Sequence, residues 1–148
     1  MTRENNNDNN LFYVCSLIEY LARKTKNTKA DIVKMLGINK INKIYNLAEV
    51  YHSEFIDKIT DELIYEYQIK NGNYNIIKDI DNIPSYYDIG RVYQRLIIML
   101  SNNESEYISK LYEVLTSWII PKIDNYNSSL YYENPEYIYE CYKANKII

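Results

Sequence analysis

One histidine, two cysteines and scattered carboxylates are the chain's whole stock of nucleophilic and soft-ligand chemistry. His52 would have to serve any catalytic dyad or triad, with Ser53 or a distant cysteine as nucleophile. Glu49 stands one turn earlier on the same helical face, placed to orient it. But Ser53 directly follows His52 and no nucleophile elbow surrounds it, so a structural or interface role for His52 is favoured. One His and two Cys cannot build a His-rich zinc site, so no metal is expected. With three glycines the chain has neither a Walker loop nor a glycine-rich dinucleotide loop, and no cofactor is expected. The expectation is a protein that is not an enzyme.

The charged residues offer three other constellations. Asp57 and Asp61 stand at i and i+4, with Glu62 beside them. Like charges on one face destabilise a helix, so a counter-charge is expected, from within this chain or from a partner, rather than a metal. Arg91 and Arg95 share one helical face flanking Tyr93, a pair able to grip a phosphate or carboxylate. An exposed polar face with ordinary salt bridges explains them equally simply, and is favoured. Lys29, Lys34, Lys40 and Lys43 fall in a basic stretch that also holds Arg23, Lys24 and Lys26 against Asp31 alone. Glu49, Glu54, Asp57, Asp61, Glu62 and Glu66 follow against Lys58 alone. Either the two stretches complement each other where neighbouring helices pack, or they form a basic and an acidic docking patch. The span 28–51 also reads as a helix-turn-helix-like segment with Gly37 in the turn, which makes a DNA-binding regulator the alternative function.

Tyrosine is the commonest contact-making residue, with 18 copies against two Phe and one Trp. Its ring favours burial while its hydroxyl wants a partner, which suits interfaces. Tyr126, Tyr131, Tyr132, Tyr137, Tyr139 and Tyr142 crowd the C-terminal end. Tyr137 and Tyr139 point to different faces of a helix, so two or three of these rings should be partly exposed. Tyr126, Tyr131, Tyr132, Tyr137, Tyr139, His52, Asp57 and Asp61 are therefore the candidate partner-binding residues. Heavy use of Ile, Tyr and Asn also fits an AT-rich genome, which discounts part of the tyrosine signal.

The elements that must position these residues are helical. Apolar residues recur at helical spacing over 11–26, with Asn10 as cap. Thr28 and Asp31 open a second helix that Gly37 ends. A third spans 39–51. Ser53 is expected to cap a fourth, which carries Ile56, Ile59, Leu63 and Tyr67 and stops at Asn71–Gly72. An irregular stretch, 73–85, contains Pro84. A fifth helix spans 86–100. A sixth starts from Ser101 and Glu104 or from Asn103 and Glu106, buries Trp118 and Ile119, and is broken by Pro121. Asn134–Pro135 opens the last. The expected fold is all-α, an irregular bundle of six or seven helices.

At 148 residues, 47% apolar and 25% charged, the chain is expected to form one helical domain over 11–148, with subdomains available at 11–72 and 84–148. Residues 1–10, polar and Asn-rich, read as a disordered lead rather than a signal peptide or anchor. No apolar run is long enough to span a bilayer. Distant Cys15 and Cys141 fit free buried thiols in a cytoplasmic setting.

The residues Phe12–Tyr13–Val14, Ile18–Glu19–Tyr20, Met35–Leu36–Gly37, Tyr45, His52 and Asp61–Glu62 give 12–67 a pattern that resembles a small uncharacterised bacterial helical family. Its members are often encoded beside proteins similar to mono-ADP-ribosyltransferases. The resemblance implies a toxin–antitoxin or phage-defence setting and carries no catalytic residues over. The expected function is a non-catalytic protein-binding module: an antitoxin, an accessory factor or a phage-encoded inhibitor. Its partner would be an operon neighbour or a host or phage enzyme, with homo-oligomerisation and nucleic acid as the other partners considered.

Overall fold

The first helix begins ahead of Leu11, the first residue of its buried apolar face. A computed structural model describes residues 5–75 and 83–148, and α1 spans Asn6–Thr25. Asn5 caps it by accepting from the Asp8 N–H at 2.8 Å. The described part of the lead expected to be disordered is therefore helical. Tertiary contacts hold it: Gln94 Nε2 donates to the Asp8 carbonyl at 2.8 Å and the Tyr107 hydroxyl to the Asp8 carboxylate at 2.6 Å. Residues 1–4 lie outside the described residues.

Helix α2, Lys29–Asn46, opens under Thr28, whose Oγ1 accepts from the Asp31 N–H at 3.1 Å. Gly37 interrupts it at the expected place. Its φ of 78° and ψ of 162° leave helical space in a region open to glycine, and the chain then resumes the helix. Leu47 separates a single turn, α3, Ala48–Tyr51, so the expected third helix is split. Helix α4 runs Ile56–Tyr67 with Phe55 at its N-cap. Ser53 does not cap it; its hydroxyl donates back to the Val50 carbonyl at 2.8 Å. The expected irregular stretch at 73–85 includes residues outside the described set.

Helix α5, Tyr86–Leu100, is capped by Ser85, which accepts from the Asp88 N–H at 3.1 Å. A 3-10 turn at Glu104–Glu106, capped by Asn103, leads into α6, Tyr107–Leu115. The chain leaves the helix at Thr116. Pro121 therefore sits at the start of a short α7, Ile120–Ile123, rather than inside α6, a position where its missing N–H costs nothing. A second 3-10 turn, Leu130–Tyr132, precedes α8, Pro135–Ala144, which starts under Asn134 as the sequence implies.

The described residues form an all-α irregular bundle of six longer helices and two single turns, without strands. α1 lies at its centre, against α5 on one side and α2 on another, with α3 and α4 at its flanks. Gly90 on α5 lets that helix press against α1. A Cβ there would stand 2.9 Å from both N and Cα of Ser16 on α1. One apolar core runs through the bundle, from Leu11, Leu17 and Leu21 to Ile97, Leu111 and Ile138. Cys15 and Cys141 are free and buried within it. No helix among the described residues is long and apolar enough to cross a membrane.

Candidate functional site

Two places in the bundle carry more chemistry than the fold requires. The first is a buried ionic cluster. Lys29, in the first turn of α2, places Nζ 2.5 Å from Glu19 Oε1 and 2.7 Å from Asp124 Oδ2. Lys29 and Glu19 are both buried; Asp124, at the end of α7, is nearly so. Arg23, one turn along α1, donates from Nε to Glu19 Oε2 at 2.7 Å and from Nη2 to the Pro84 carbonyl at 2.6 Å. The hydroxyls of Tyr93 and Tyr126 both donate to Asp124 Oδ1, at 2.6 and 3.1 Å. The Lys29 ammonium also sits 4.9 Å from the Tyr93 ring centroid.

The electrostatics follow from burial. Desolvation alone would discharge Lys29, but Asp124 and Glu19 outweigh it and push the ammonium up to about 12. Burial likewise opposes the Glu19 carboxylate, yet Lys29 and then Arg23 hold it below its ordinary value. Burial, followed by the Asp124 charge, raises the Tyr93 and Tyr126 hydroxyls, so they stay protonated and can donate. Every polar end in the cluster is answered by another. Its chemistry is positioning, not proton transfer near neutral pH.

Above this floor opens a cavity of about 1030 Å³. Ala22, Ala30, Leu115, Ile120 and Pro121 supply apolar wall. The strand of chain at 72–75 closes one side. It is tied to the end of α1 by the Gly72 N–H on the Thr25 carbonyl at 2.8 Å and the Tyr74 N–H on the Lys26 carbonyl at 2.9 Å. Gly72 is required there, since a Cβ would stand 2.5 Å from the Lys26 carbonyl oxygen. Lys26, Asn73 and Asn125 line the cavity as well, and their side chains make no hydrogen bond or ion pair with the described residues.

The second place is the outer face of α3 and α4. Phe55 is 85% exposed and Tyr65 83% exposed. Lys58 and Glu62 lie between them in sequence. Phe55 is the N-cap residue just before α4, and Lys58, Glu62 and Tyr65, at i, i+4 and i+7, share one exposed face of the helix, turned away from buried Thr60 and Leu63. Val50 on α3 is also well exposed. Glu62 makes no ion pair with the described residues.

The acids singled out from the sequence are otherwise spent inside the molecule. Lys24 on α1 reaches Asp61 at 2.7 Å and Asp57 at 3.3 Å, and the Tyr20 hydroxyl donates to Asp57. That hydrogen bond, then the one from Lys24, lowers the Asp57 carboxyl. Lys43 faces Glu66 at 3.8 Å, and Lys40 lies 5.1 Å from the Tyr67 ring centroid. The basic and acidic stretches thus meet across packed helices.

This changes the standing of the expected nucleic-acid residues. Lys29 is corrected outright: it is buried, because two carboxylates recruit it to the interior. Lys34, Lys40 and Lys43 remain exposed, but two of them face α4. Arg91 does not pair with Arg95 around an open site. Its guanidinium lies 3.9 Å from the Phe12 ring centroid and donates to Gln94 at 2.8 Å. Neither arginine lines the cavity. His52 is exposed; its Nδ1 lies 3.1 Å from the Glu49 backbone carbonyl rather than its carboxylate, and its ring meets Tyr13 edge-on. No group of three or more His, Cys, Asp or Glu among the described residues could hold a metal.

The C-terminal tyrosines form no continuous exposed sheet of rings. Tyr126 is corrected from surface to core, 3% exposed, because Asp124 satisfies its hydroxyl inside. Tyr131 packs edge-on against Tyr126 and Tyr132 against Tyr131, with centroids 5.1 and 4.9 Å apart. Tyr137, Tyr139 and Tyr142 are half-buried, and only Tyr132 of the six is exposed, at 61%.

Sequence reasoning passed over Glu19 and Asp124 as site residues, and Phe55 and Tyr65 altogether. Two signals pointed to the cluster. Glu19 is the one charge within the apolar face of α1, and Lys29 opposes the dipole of the helix it begins. Comparison with family models, curated proteins and solved structures returns no match.

Proposed function

We propose that this chain is a non-catalytic protein-binding module that docks its partner through the outer face of α4. The supporting observation is the pair of rings, Phe55 at the N-cap of α4 and Tyr65 on its outer face, each more than four-fifths exposed. At about 1.5 Å per residue they stand about 15 Å apart along the helix. A solitary exposed ring is ordinary, but two on one element match the aromatic anchors of binding hot spots. Glu62 between them, without a counter-ion among the described residues, favours a partner that presents a basic side chain between two apolar recesses. The resemblance noted above suggests the setting: an antitoxin, accessory factor or inhibitor acting on a neighbouring or host enzyme. The buried cluster, with every charge answered and its hydroxyls locked as donors, supports a scaffold rather than a reaction centre.

The test is co-expression with genomic neighbours, then size-exclusion light scattering and titration of any complex. The F55A/Y65A double variant should keep wild-type helicity and Tm, since neither ring packs in the core. It should weaken the complex by about 100-fold or more, the usual scale for removing two anchors. Unchanged affinity would remove α4 as the docking face. A homodimer that the double variant dissociates would instead make a second copy the partner.

A further inference from the structure

We propose that residues 49–68, the segment that carries Phe55 and α4, open from the bundle as one unit, and that Lys24 of α1 is the latch that holds them closed. The segment lies between two anchors. Ala48 is buried at one end and Ile69 at the other. Just beyond Ile69, the Asn27 amide donates to the Lys70 carbonyl and the Gly72 N–H to the Thr25 carbonyl, both at 2.8 Å. Between the anchors only Ile59, Thr60 and Leu63 are buried. By contrast α5 buries Ile89, Gly90, Tyr93, Gln94, Leu96 and Ile97 within 15 residues. Local opening costs the burial and bonds it breaks, so a span this thinly buried sits toward the low end of local stability.

The polar ties that hold α4 down converge on one cation. Lys24 Nζ lies 2.7 Å from Asp61 Oδ1 and 3.3 Å from Asp57 Oδ1. It also donates to the Asp57 carbonyl at 3.1 Å and to Thr60 Oγ1 at 3.0 Å. The Tyr20 hydroxyl donates to the same Asp57 carboxylate. Phe55 offers α4 no side-chain cap, so the first turn is held through Asp57. Other ties are looser: Lys43 stands 3.8 Å from Glu66, both exposed, and Lys40 5.1 Å from the Tyr67 ring centroid. The consequence for binding rests on α4 being the docking face. Closed, the latch keeps Phe55 and Tyr65 in one arrangement; open, that arrangement is lost, and apparent affinity scales with the closed fraction.

Native-state hydrogen exchange of the full chain, read by mass spectrometry, tests the opening without any partner. Amides of 59–68 should exchange about tenfold or more faster than those of α1 and α5. Lys24→Gln should speed exchange of 59–68 by a further factor of about five, the worth of partly exposed ion pairs, and leave α5 unchanged. Asp61→Asn removes the shorter bridge at an exposed position and should act in the same direction, which keeps the test decisive if Lys24→Gln fails to fold. Exchange of 59–68 as slow as that of α5, uniform acceleration of all helices, or no acceleration in either variant would each overturn the proposal. F55A/Y65A should leave the exchange pattern unchanged. Slow exchange of 59–68 together with loss of partner binding in F55A/Y65A would remove the latch and keep α4 as the docking face.

Discussion

Replacing Lys29 with methionine separates a structural ionic cluster from a dispensable one. Methionine matches the lysine stem in length, so the change removes charge while leaving little void. It strands Glu19, which is 2% exposed, and takes one of the bonds to Asp124. Breaking a buried pair from one side costs ~3–5 kcal/mol. Arg23 still holds Glu19 and two tyrosine hydroxyls still hold Asp124, which places the loss near the lower end, at ~3 kcal/mol. For a domain of this size that is roughly 10 °C in Tm. The pH dependence is more diagnostic than the magnitude. In the wild type, Glu19 titrates below its ordinary value, so its contribution is present above the usual carboxylate range and fades as pH falls through the depressed value. Lys29 is raised to about 12; its contribution is complete below its ordinary value and fades as pH rises through about 12. From about pH 5 to 9 the cluster therefore leaves wild-type stability flat, since the raised Tyr93 and Tyr126 hydroxyls begin to cost stability only as pH approaches their ordinary value. In Lys29→Met the largest influence on Glu19, burial, is opposed by Arg23 alone, and the carboxyl rises. The folded variant then binds protons more tightly than its unfolded chain, and it regains stability as pH falls from 7 to 5. Urea denaturation followed by far-UV circular dichroism at both pH values measures this. A loss under about 1 kcal/mol at pH 7, or further destabilisation on acidification, would refute the reasoning. Lys29→Met/Glu19→Gln should recover part of the loss at pH 7 and show no gain at pH 5.

Two further outcomes follow from the interior. Gly90→Ala pushes a methyl against backbone atoms of Ser16 that cannot rotate away, so α1 and α5 must separate; the expected loss is ~1–3 kcal/mol by denaturant titration, and a stabilised variant would contradict the packing. Both thiols should resist a disulfide reagent until the protein unfolds: Cys15 and Cys141 are buried, and burial raises the Cys15 thiol despite nearby Lys29. Stopped-flow labelling in native buffer that proceeds at the rate of a free thiol would overturn that.

Local signals were readable where a residue acts on its own backbone. Thr28 and Asn134 each cap the helix they precede, Gly37 breaks α2, and Pro135 starts α8, because these effects need only neighbours in sequence. The failures are all tertiary. Asn5–Asn10 have poor intrinsic order, yet Gln94 and Tyr107, far along the chain, supply the bonds that make them helical. Ser53 is a good cap by type, but the turn after α3 offered its hydroxyl a carbonyl closer by. Phe55 and Tyr65 carry no sequence signal of their own, because exposure is set by how α4 packs. Asp57 and Asp61 drew notice as like charges, whereas Lys24 answers both, and the uncompensated feature of that helix is aromatic.

The tyrosines explain the largest misreading and the buried cluster together. A chain with two phenylalanines and one tryptophan must fill aromatic space with tyrosine, and every ring taken inside brings a hydroxyl that needs an acceptor. A carboxylate is the strongest acceptor, so Tyr93 and Tyr126 share Asp124, Tyr107 takes Asp8 and Tyr142 takes Glu113. A carboxylate drawn inward by tyrosines needs a cation in turn. At Asp124 that cation is Lys29, which then requires Glu19, which requires Arg23. Tyrosine richness here is thus first a property of the interior, and the surplus that composition assigned to an interface is largely absorbed before the surface is reached. What remains for contact is the few rings left exposed among the described residues, Tyr65, Tyr74, Tyr87 and Tyr132, with Tyr65 the most exposed.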